Sequence, residues 1–356
     1  MRDPEGASEL VAPADERSGA AARAGTAEAP GAAGRAGAAG RAGAAGRAGA
    51  AARAGAASRL RGRVTIALFL LPALALFGLL VLAPILVAMY TSVFKWNGLG
   101  GAPTDFVGAA NFGRMFSDEV FLGDLWRGLV LIVLSTTVQL PLALGIAMLL
   151  NQRLRGRALY RLLFFAPYVL SEVITGVLFT MILSPDQGVA NRLLAVAGLE
   201  SAWLSDPSSV MVSLFLVMTW KYFGFHMILY LAGRQGIPEE LTEAARIDGA
   251  TAWEVFRHVT LPLLGPTIRI SGFLSVIGAI QLFDLVWVLT GGGPAHSSET
   301  MAVTMFQFGF KRYQVGYASA ISVVMFVISL VFALGYQRFV MRRDTEGAIT
   351  VMRDQR

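Results

Sequence analysis

The stretch LTEAARIDGATAWEVFRHVTLPLLGP, from Leu241 to Pro266, is dense with charged residues and lies between two long hydrophobic runs. The chain around it is very apolar, because 55% of its 356 residues are hydrophobic and only 15% are charged. Its mean hydropathy is +0.58. These values lie outside the range of soluble globular proteins and predict an all-α polytopic membrane protein, since lipid offers no hydrogen-bond partner to a bare backbone. The charged stretch is then a connection between membrane-spanning segments.

The first half of this connection is predicted to form a short helix. Pro238 suits a first helical position, and Glu239 and Glu240 complement the positive end of the helix. Gly249 is expected to end the helix, because glycine accepts the left-handed conformation that a C-terminal cap requires.

A second helix is predicted to begin directly after Gly249. Thr251 and Glu254 have the spacing of a capping box, and Leu261-Pro262 is expected to end this helix before the next span. The first helix carries small and aliphatic side chains without a large ring, at Leu241, Ala244, Ala245 and Ile247. Such a helix fits closely into a groove on another surface, or packs on its own membrane domain or on lipid headgroups. Periodicity leaves both interpretations open.

Six segments have approximately the length that a membrane-spanning helix needs, about 20 mostly apolar residues. In chain order they are residues 64–93, 127–150, 159–183, 209–232, 267–289 and 317–337. Together they predict one membrane domain over residues 64–343, in which residues 237–262 form the charged loop. Residues 344–356 form a short C-terminal tail.

The first 63 residues are a repetitive tail of Ala, Gly and Arg, which we predict to be disordered. The tail lacks enough apolar surface to offset the entropy of ordering. The alternative is an amphipathic helix on anionic lipid, which the repeated glycines disfavour.

Basic residues predict the orientation of the chain. They cluster before the first span, in the second connection and after the last span, at Arg59, Arg61, Arg63, Arg153, Arg155, Arg157, Arg161, Arg338, Arg342 and Arg343. The connections 94–126 and 184–208 are poorer in positive charge. By the positive-inside rule, both termini and the 233–266 loop face the cytoplasm. The net charge of +6 is therefore interpreted as an orientation signal rather than a nucleic-acid site.

The segment EAARIDGATAWEVFRHVTLP closely resembles the EAA motif of binding-protein-dependent ABC importer permeases. The matching positions are Glu243, Ala244, Ala245, Asp248, Gly249, Ala250, Leu261 and Pro262. The segments YRLLFFAPYVLS, WLSDPSS, FGFHMILYLAGRQGIPEEL and FDLVWVLTGGGP resemble, in order and spacing, the carbohydrate-uptake branch of maltose and glycerol-3-phosphate permeases. The resemblance covers residues 64–343.

The resemblance implies an ABC importer permease fold with six transmembrane helices, located in a bacterial inner (cytoplasmic) membrane and active in the uptake of a sugar or polyol. In this family the loop is a coupling helix that docks into a cleft on a separate ATPase subunit. Closure of two ATPases then moves the membrane helices between inward and outward access. The implied partners are an ATPase pair, a second permease subunit or a second copy, an extracytoplasmic binding protein and membrane lipid.

The residues agree with ATP hydrolysis on another subunit, so no enzyme activity is expected of this chain. A phosphate-binding loop needs Gly-Lys followed by Ser or Thr. The lysines are Lys95, Lys221 and Lys311, followed by Trp96, Tyr222 and Arg312. Neither a metal nor another cofactor is expected, because cysteine is absent and the histidines (His226, His258 and His296) are too far apart for a local zinc motif.

Polar residues inside apolar spans are candidates for a transport path, since they are costly at membrane depth. Tyr222 and His226 are one helical turn apart in the fourth span, and Gln281 and Asp284 share a face of the fifth, with Phe283 beside them. Aromatic rings with amide or carboxylate groups are typical of sugar sites. The alternative is a structural role, such as pairing of Asp284 with a basic residue of the partner permease.

Two further features have two interpretations each. Glu172 either contacts a hydroxyl of the cargo or lies shallow, near the outer headgroups. The segment TGGGP, Thr290 to Pro294, either touches a docked binding protein or simply ends a helix.

Rival functions are an ABC permease for a non-sugar solute, an ion-coupled secondary transporter and a membrane scaffold. A secondary transporter of the repeat type predicts internal repeats, and none is seen at half the chain length.

Overall fold

The computed structural model describes residues 65–152 and 154–342, and this part of the chain is built of helices. Both predicted tails, 1–63 and 344–356, lie outside the described residues, as does Arg153. The helices, in chain order, are α1 Thr65–Thr91, α2 Ala110–Ser117, α3 Glu119–Leu150, α4 Arg157–Val169, α5 Glu172–Ile182, α6 Val189–Ala195, α7 Val210–Gln235, α8 Glu239–Ile247, α9 Ala252–Leu263, α10 Gly265–Ile280, α11 Asp284–Leu289, α12 Met301–Phe306 and α13 Val315–Met341.

Four of these helices are long and apolar enough to cross a membrane without interruption: α1, α3, α7 and α13. They confirm four of the predicted spans, the first, second, fourth and sixth. The helix α3 begins eight residues earlier than predicted because Asp118 caps it, its carboxylate accepting the N–H of Val120 at 2.9 Å.

The third predicted span, 159–183, is not a single helix. The helices α4 and α5 meet at 100° around Leu170 and Ser171. Both residues have extended backbone, and the Ser171 side chain caps α5 by accepting the N–H of Ile174. Lys221 in α7 donates to the carbonyl of Leu170 at 2.6 Å. The break is stable because a side chain from another helix satisfies an acceptor that the broken helix leaves unpaired.

The fifth predicted span, 267–289, is also interrupted. The helix α10 ends at Ile280, α11 begins at Asp284, and the residues between them are not helical. Thr300 donates to the carbonyl of Leu282 at 2.8 Å, in the middle of this break. At its other end, α10 bends by 66° from α9. Counting each bent pair, α4 with α5 and α9 with α10, as one span gives six spans by length and composition.

The chain divides into two compact units after Leu76, and the described part of the first is the exposed, apolar start of α1. In the second unit, two glycines bring the broken helices against their neighbours. A Cβ on Gly224 of α7 would lie 1.9 Å from the carbonyl oxygen of Phe164 in α4, and one on Gly176 of α5 would lie 2.6 Å from a methyl carbon of Val288 in α11. These contacts place α4, α5, α7 and α11 around one cavity.

Candidate functional site

A cavity of about 390 Å³ lies beside the bend between α4 and α5 and the break between α10 and α11. We call these two interrupted segments the broken helices. Its walls come from α3, α4, α5, α7, α10 and the break between α10 and α11. All five residues predicted to form a transport path line it: Tyr222, His226, Gln281, Phe283 and Asp284. The structure therefore brings together side chains that are up to 62 positions apart in the sequence. Its size and its mixture of aromatic and polar groups are those of a small-molecule site.

One wall of the cavity is formed by Tyr222 and Glu172. The Tyr222 hydroxyl donates to the Glu172 carboxylate, which begins α5 directly after the 100° bend. The Tyr168 ring stacks on Phe225 at 4.8 Å between centroids, and lies edge-on to Tyr222 at 6.3 Å. Of the two interpretations of Glu172, the cavity position agrees with contact to a cargo hydroxyl.

His226 is buried in the same wall, and its Nδ1 lies 2.8 Å from the hydroxyl of Ser271 in α10. The nearby Lys221 is also buried, but it does not line the cavity. Its ammonium group donates instead to the carbonyl of Leu170 at the bend between α4 and α5.

The opposite wall contains Gln281, Phe283 and Asp284. The prediction that Gln281 and Asp284 share one helical face is wrong, because α10 ends at Ile280, before Gln281, and α11 begins only at Asp284. The break nevertheless exposes both polar side chains to the cavity. The Phe283 ring stacks on Trp287 at 6.1 Å. Within the described residues, the Asp284 carboxylate makes neither a hydrogen bond nor an ion pair.

Sequence reasoning missed the contribution of α3. Ser135 and Gln139 line the cavity, and the Ser135 hydroxyl lies 2.5 Å from that of Ser275 in α10 and 3.1 Å from the side-chain oxygen of Gln139. The signal is present in the sequence as STTVQ, Ser135 to Gln139, a polar segment inside an otherwise apolar span.

A buried polar network near the glycine-rich TGGGP segment was also missed. Arg127 donates from Nε to the carbonyl oxygen of Glu299 at 2.8 Å, and from a terminal nitrogen to Asp124 at 2.6 Å. Thr304 donates to Asp124 at 2.5 Å and is 3.0 Å from the Glu299 carboxylate. These bonds attach the connection before α12 to α3. Because Thr300 in the same connection binds the carbonyl of Leu282, the network also supports one wall of the cavity.

The predicted two-helix loop is present as α8 and α9. Gly249 has φ +88° and donates to the carbonyl of Arg246 at 3.1 Å, while Ala250 donates to that of Ala245 at 3.0 Å. These two bonds are those of a Schellman motif, so the prediction that Gly249 ends the first helix is confirmed. The capping box of Thr251 and Glu254 is also present.

Two local predictions about this loop are wrong. Pro238 has a non-helical backbone, with φ −54° and ψ 134°, and lies at the N-cap position, so the first helical residue of α8 is Glu239. The helix α9 does not end at Leu261-Pro262 but continues to Leu263, through a wider π-helical turn over Phe256–Thr260. That turn pairs the Leu261 N–H with the carbonyl of Phe256, one residue further back than in an α-helix, which accommodates a proline that donates no hydrogen bond.

Most of the eight motif positions are accessible. Glu243, Ala244, Asp248, Gly249 and Pro262 are exposed, whereas Ala245, Ala250 and Leu261 are half-buried. Beside them lie three large apolar side chains, which we call the loop face: Leu241, Ile247 at 85% exposure and Trp253 at 63%. An exposed apolar cluster on a charged loop indicates a binding surface.

Comparisons with known proteins agree with the geometry. A family model described as binding-protein-dependent transport system inner membrane component matches residues 139–344. The chain is 36% identical over 276 residues to the probable ABC transporter permease protein PH1215 of Pyrococcus horikoshii, covering 76% of this chain and 94% of that protein. It is 34% identical over 282 residues to the lactose transport system permease protein LacF of Rhizobium radiobacter, covering 78% and 93%.

The fold is similar to that of a solved bacterial alginate ABC transporter, determined in complex with an alginate pentasaccharide-bound periplasmic protein. The TM-score is 0.71 at 24% identity, and the match covers 81% of this chain and 97% of the other. This likeness confirms the predicted ABC importer permease fold. By the family match and by its relatives, the chain belongs to the family of binding-protein-dependent transport system inner membrane components, the permease subunits of ABC transporters.

Proposed function

We propose that this chain forms the membrane path of an ATP-driven importer for a sugar or a related polyol. The observation that carries the proposal is the cavity at the two broken helices, in the same chain as an exposed two-helix loop. The cavity supplies a place for a polar solute inside an apolar domain, and the loop supplies a surface for an external motor.

The chemistry of the cavity suits a hydroxyl-rich cargo. Tyr168, Tyr222 and Phe283 offer ring faces to the apolar side of a pyranose, while Gln281 and Asp284 offer hydrogen-bonding groups. Two similar proteins support a carbohydrate cargo: LacF, a lactose transport system permease protein, and the alginate transporter, which was solved with an alginate pentasaccharide-bound periplasmic protein.

The loop face and the motif positions around Gly249 are the proposed contact with an ATPase subunit. In a cytoplasmic cleft of that subunit, Ile247 and Trp253 would lose their exposure to water, which favours docking. The short Ala244 and Ala245 side chains allow close approach of the helix. The sharp Schellman turn holds α8 and α9 at a fixed angle, so force on α8 reaches α9 and α10.

The proposed assembly has further members. A second permease subunit, or a second copy of this chain, completes the path across the membrane, and an extracytoplasmic binding protein delivers the cargo. Both termini and the loop face the cytoplasm of a bacterial cell. The catalytic ATPase lies on a separate subunit, because none of the three lysines stands in a phosphate-binding sequence.

The alternatives are an ABC permease for a non-sugar solute and an ion-coupled secondary transporter. Broken helices around a polar site also occur in secondary transporters. The exposed loop face favours the ATP-driven mechanism, since an ion-coupled carrier has no use for a cytoplasmic docking surface.

Reconstitution separates these alternatives. The full complex in liposomes is expected to contain an ATPase and to hydrolyse ATP faster when its binding protein and a neutral sugar are added. An ATPase stimulated only by a non-sugar solute would reject the cargo class. A purified chain without an ATPase, driven by an ion gradient alone, would reject the whole proposal.

A further inference from the structure

A second cavity, of about 900 Å³, lies between the connection after α1 and the start of α13. It shares no lining residue with the 390 Å³ cavity at the broken helices. We call it the loop cavity. No role assigned above to the transport path or to the ATPase contact involves it.

The loop cavity has a fixed frame. An antiparallel bridge joins Phe94 to Phe106, directly next to the lining residues Lys95 and Asp105. Gly316 in α13 packs directly on this bridge: its N–H donates to the carbonyl of Trp96 at 3.0 Å, and a Cβ there would lie 2.0 Å from the carbonyl oxygen of Phe94. Contacts this close leave the frame little freedom, so the cavity is pre-formed.

Two opposite charges stand unpaired on this frame. The N–H of Lys95 donates to the carbonyl of Asp105 at 2.9 Å, next to the Phe94–Phe106 bridge. Opposite residues of an antiparallel pair project to the same face. Both side chains line the loop cavity, and within the described residues neither makes an ion pair or a side-chain hydrogen bond. One supplies donors and the other supplies acceptors.

Aromatic groups complete the lining. The Tyr313 side chain is 57% exposed, and its backbone has φ +53°, a conformation that is uncommon for a residue other than glycine. The buried indole nitrogen of Trp96 has no hydrogen-bond partner. Arg114 also lines the cavity, but its guanidinium group already has partners within the protein. It donates to the side chain of Gln314 at 2.8 Å and lies 4.2 Å from the centroid of the Tyr317 ring.

We propose that the loop cavity is a second saccharide site, which holds a neutral sugar unit outside the transport path. The Tyr313 ring stacks on the C–H face of a pyranose, Asp105 accepts hydrogen bonds from its hydroxyls, and Lys95 donates hydrogen bonds to its oxygens. This inference rests on the proposed function, because it requires a hydroxyl-rich cargo. In the proposed orientation the loop cavity faces the exterior, where the cargo arrives.

The test measures binding of lactose, maltose and maltotriose to the permease–ATPase complex without its binding protein, by saturation-transfer NMR. Tyr313→Asn removes the ring and keeps a residue that tolerates positive φ, so the frame is retained. We expect it to weaken binding about tenfold, which is the scale of one well-placed aromatic contact. Asp105→Asn, which removes the charge but keeps the shape, is expected to weaken binding several-fold.

Phe310→Asn is the matched control, because Phe310 is exposed but does not line the loop cavity. It is expected to bind as the wild type does.

Three results would overturn the inference. The first is wild-type sugar affinity in Tyr313→Asn. The second is that the wild type binds none of the three sugars. The third is that Tyr313→Asn weakens docking of the binding protein while sugar binding is unchanged. If liposomes still import sugar in those cases, only this inference fails. If the liposomes import none of the three sugars, the proposed cargo class fails as well.

Discussion

Gly249 is the residue on which the two-helix loop depends at the smallest scale. Its φ of +88° costs an L-amino acid about 1–2 kcal/mol, and more when the side chain is β-branched. No atom outside the immediate backbone lies within 4 Å of the position a Cβ would take, so the constraint is conformational rather than steric.

Gly249→Val is therefore expected to distort the turn while the chain still inserts into the membrane. ATP hydrolysis by the partner should continue without matching uptake. Gly249→Asn is the control, since Asn tolerates the left-handed conformation and should retain most coupling. The ratio of sugar imported to ATP hydrolysed in liposomes measures the effect, and an unchanged ratio in Gly249→Val would contradict a coupling role.

Asp284 distinguishes a transport role from a structural one at the same scale. It is exposed to the cavity and makes no ion pair within the described residues. We expect Asp284→Asn to reduce uptake at least tenfold while folding and assembly stay normal, because the amide removes the negative charge and replaces one of the two acceptor oxygens with an NH2 donor. Uptake and the yield of assembled complex are measured together.

The matched control is Asp186→Asn, an exposed carboxylate in the connection between α5 and α6. Loss of assembled complex in Asp284→Asn alone would instead assign Asp284 to pairing with the partner permease.

At the scale of elements, the bend between α4 and α5 depends on α7. The buried Lys221 donates to the carbonyl of Leu170, which the bend leaves without a helical partner. Lys221→Met keeps an unbranched side chain, one atom shorter, but leaves that carbonyl unpaired, and this is expected to cost about 1–3 kcal/mol.

Thermal unfolding of the purified complex measures the loss, and Lys311→Met, at an exposed position, should change stability by no more than about 0.5 kcal/mol. Equal melting temperatures for the two variants would show that the bend does not need Lys221.

The same elements show how far sequence reasoning reaches. The Schellman turn at Gly249 and the capping box at Thr251 are local, so their spacing alone predicted them. The breaks at Leu170 and Leu282 are stabilised by Lys221 and Thr300, which are 51 and 18 positions away. Hydropathy averages over a window and does not register such distant partners, so both spans were predicted as continuous.

At the scale of the whole molecule, α9 and α10 connect the exposed two-helix loop to the polar cavity. The cavity residues were predicted from their polarity, but their convergence depends on two interrupted helices. Closure of an external motor on the loop face would tilt α9 and α10, and so move Gln281 and Asp284 relative to Tyr222. The central claim is that the two-helix loop is a cytoplasmic docking site for an ATPase subunit.

The absence of cysteine from the natural sequence makes this claim directly testable. A single Asp248→Cys variant places one thiol on the exposed turn. We predict that a membrane-impermeant reagent labels it only in inside-out vesicles, and that a short bifunctional reagent links it to the ATPase subunit. Labelling of Asp248→Cys from the outside of intact cells would contradict the mechanism, because no cytoplasmic motor would reach the loop.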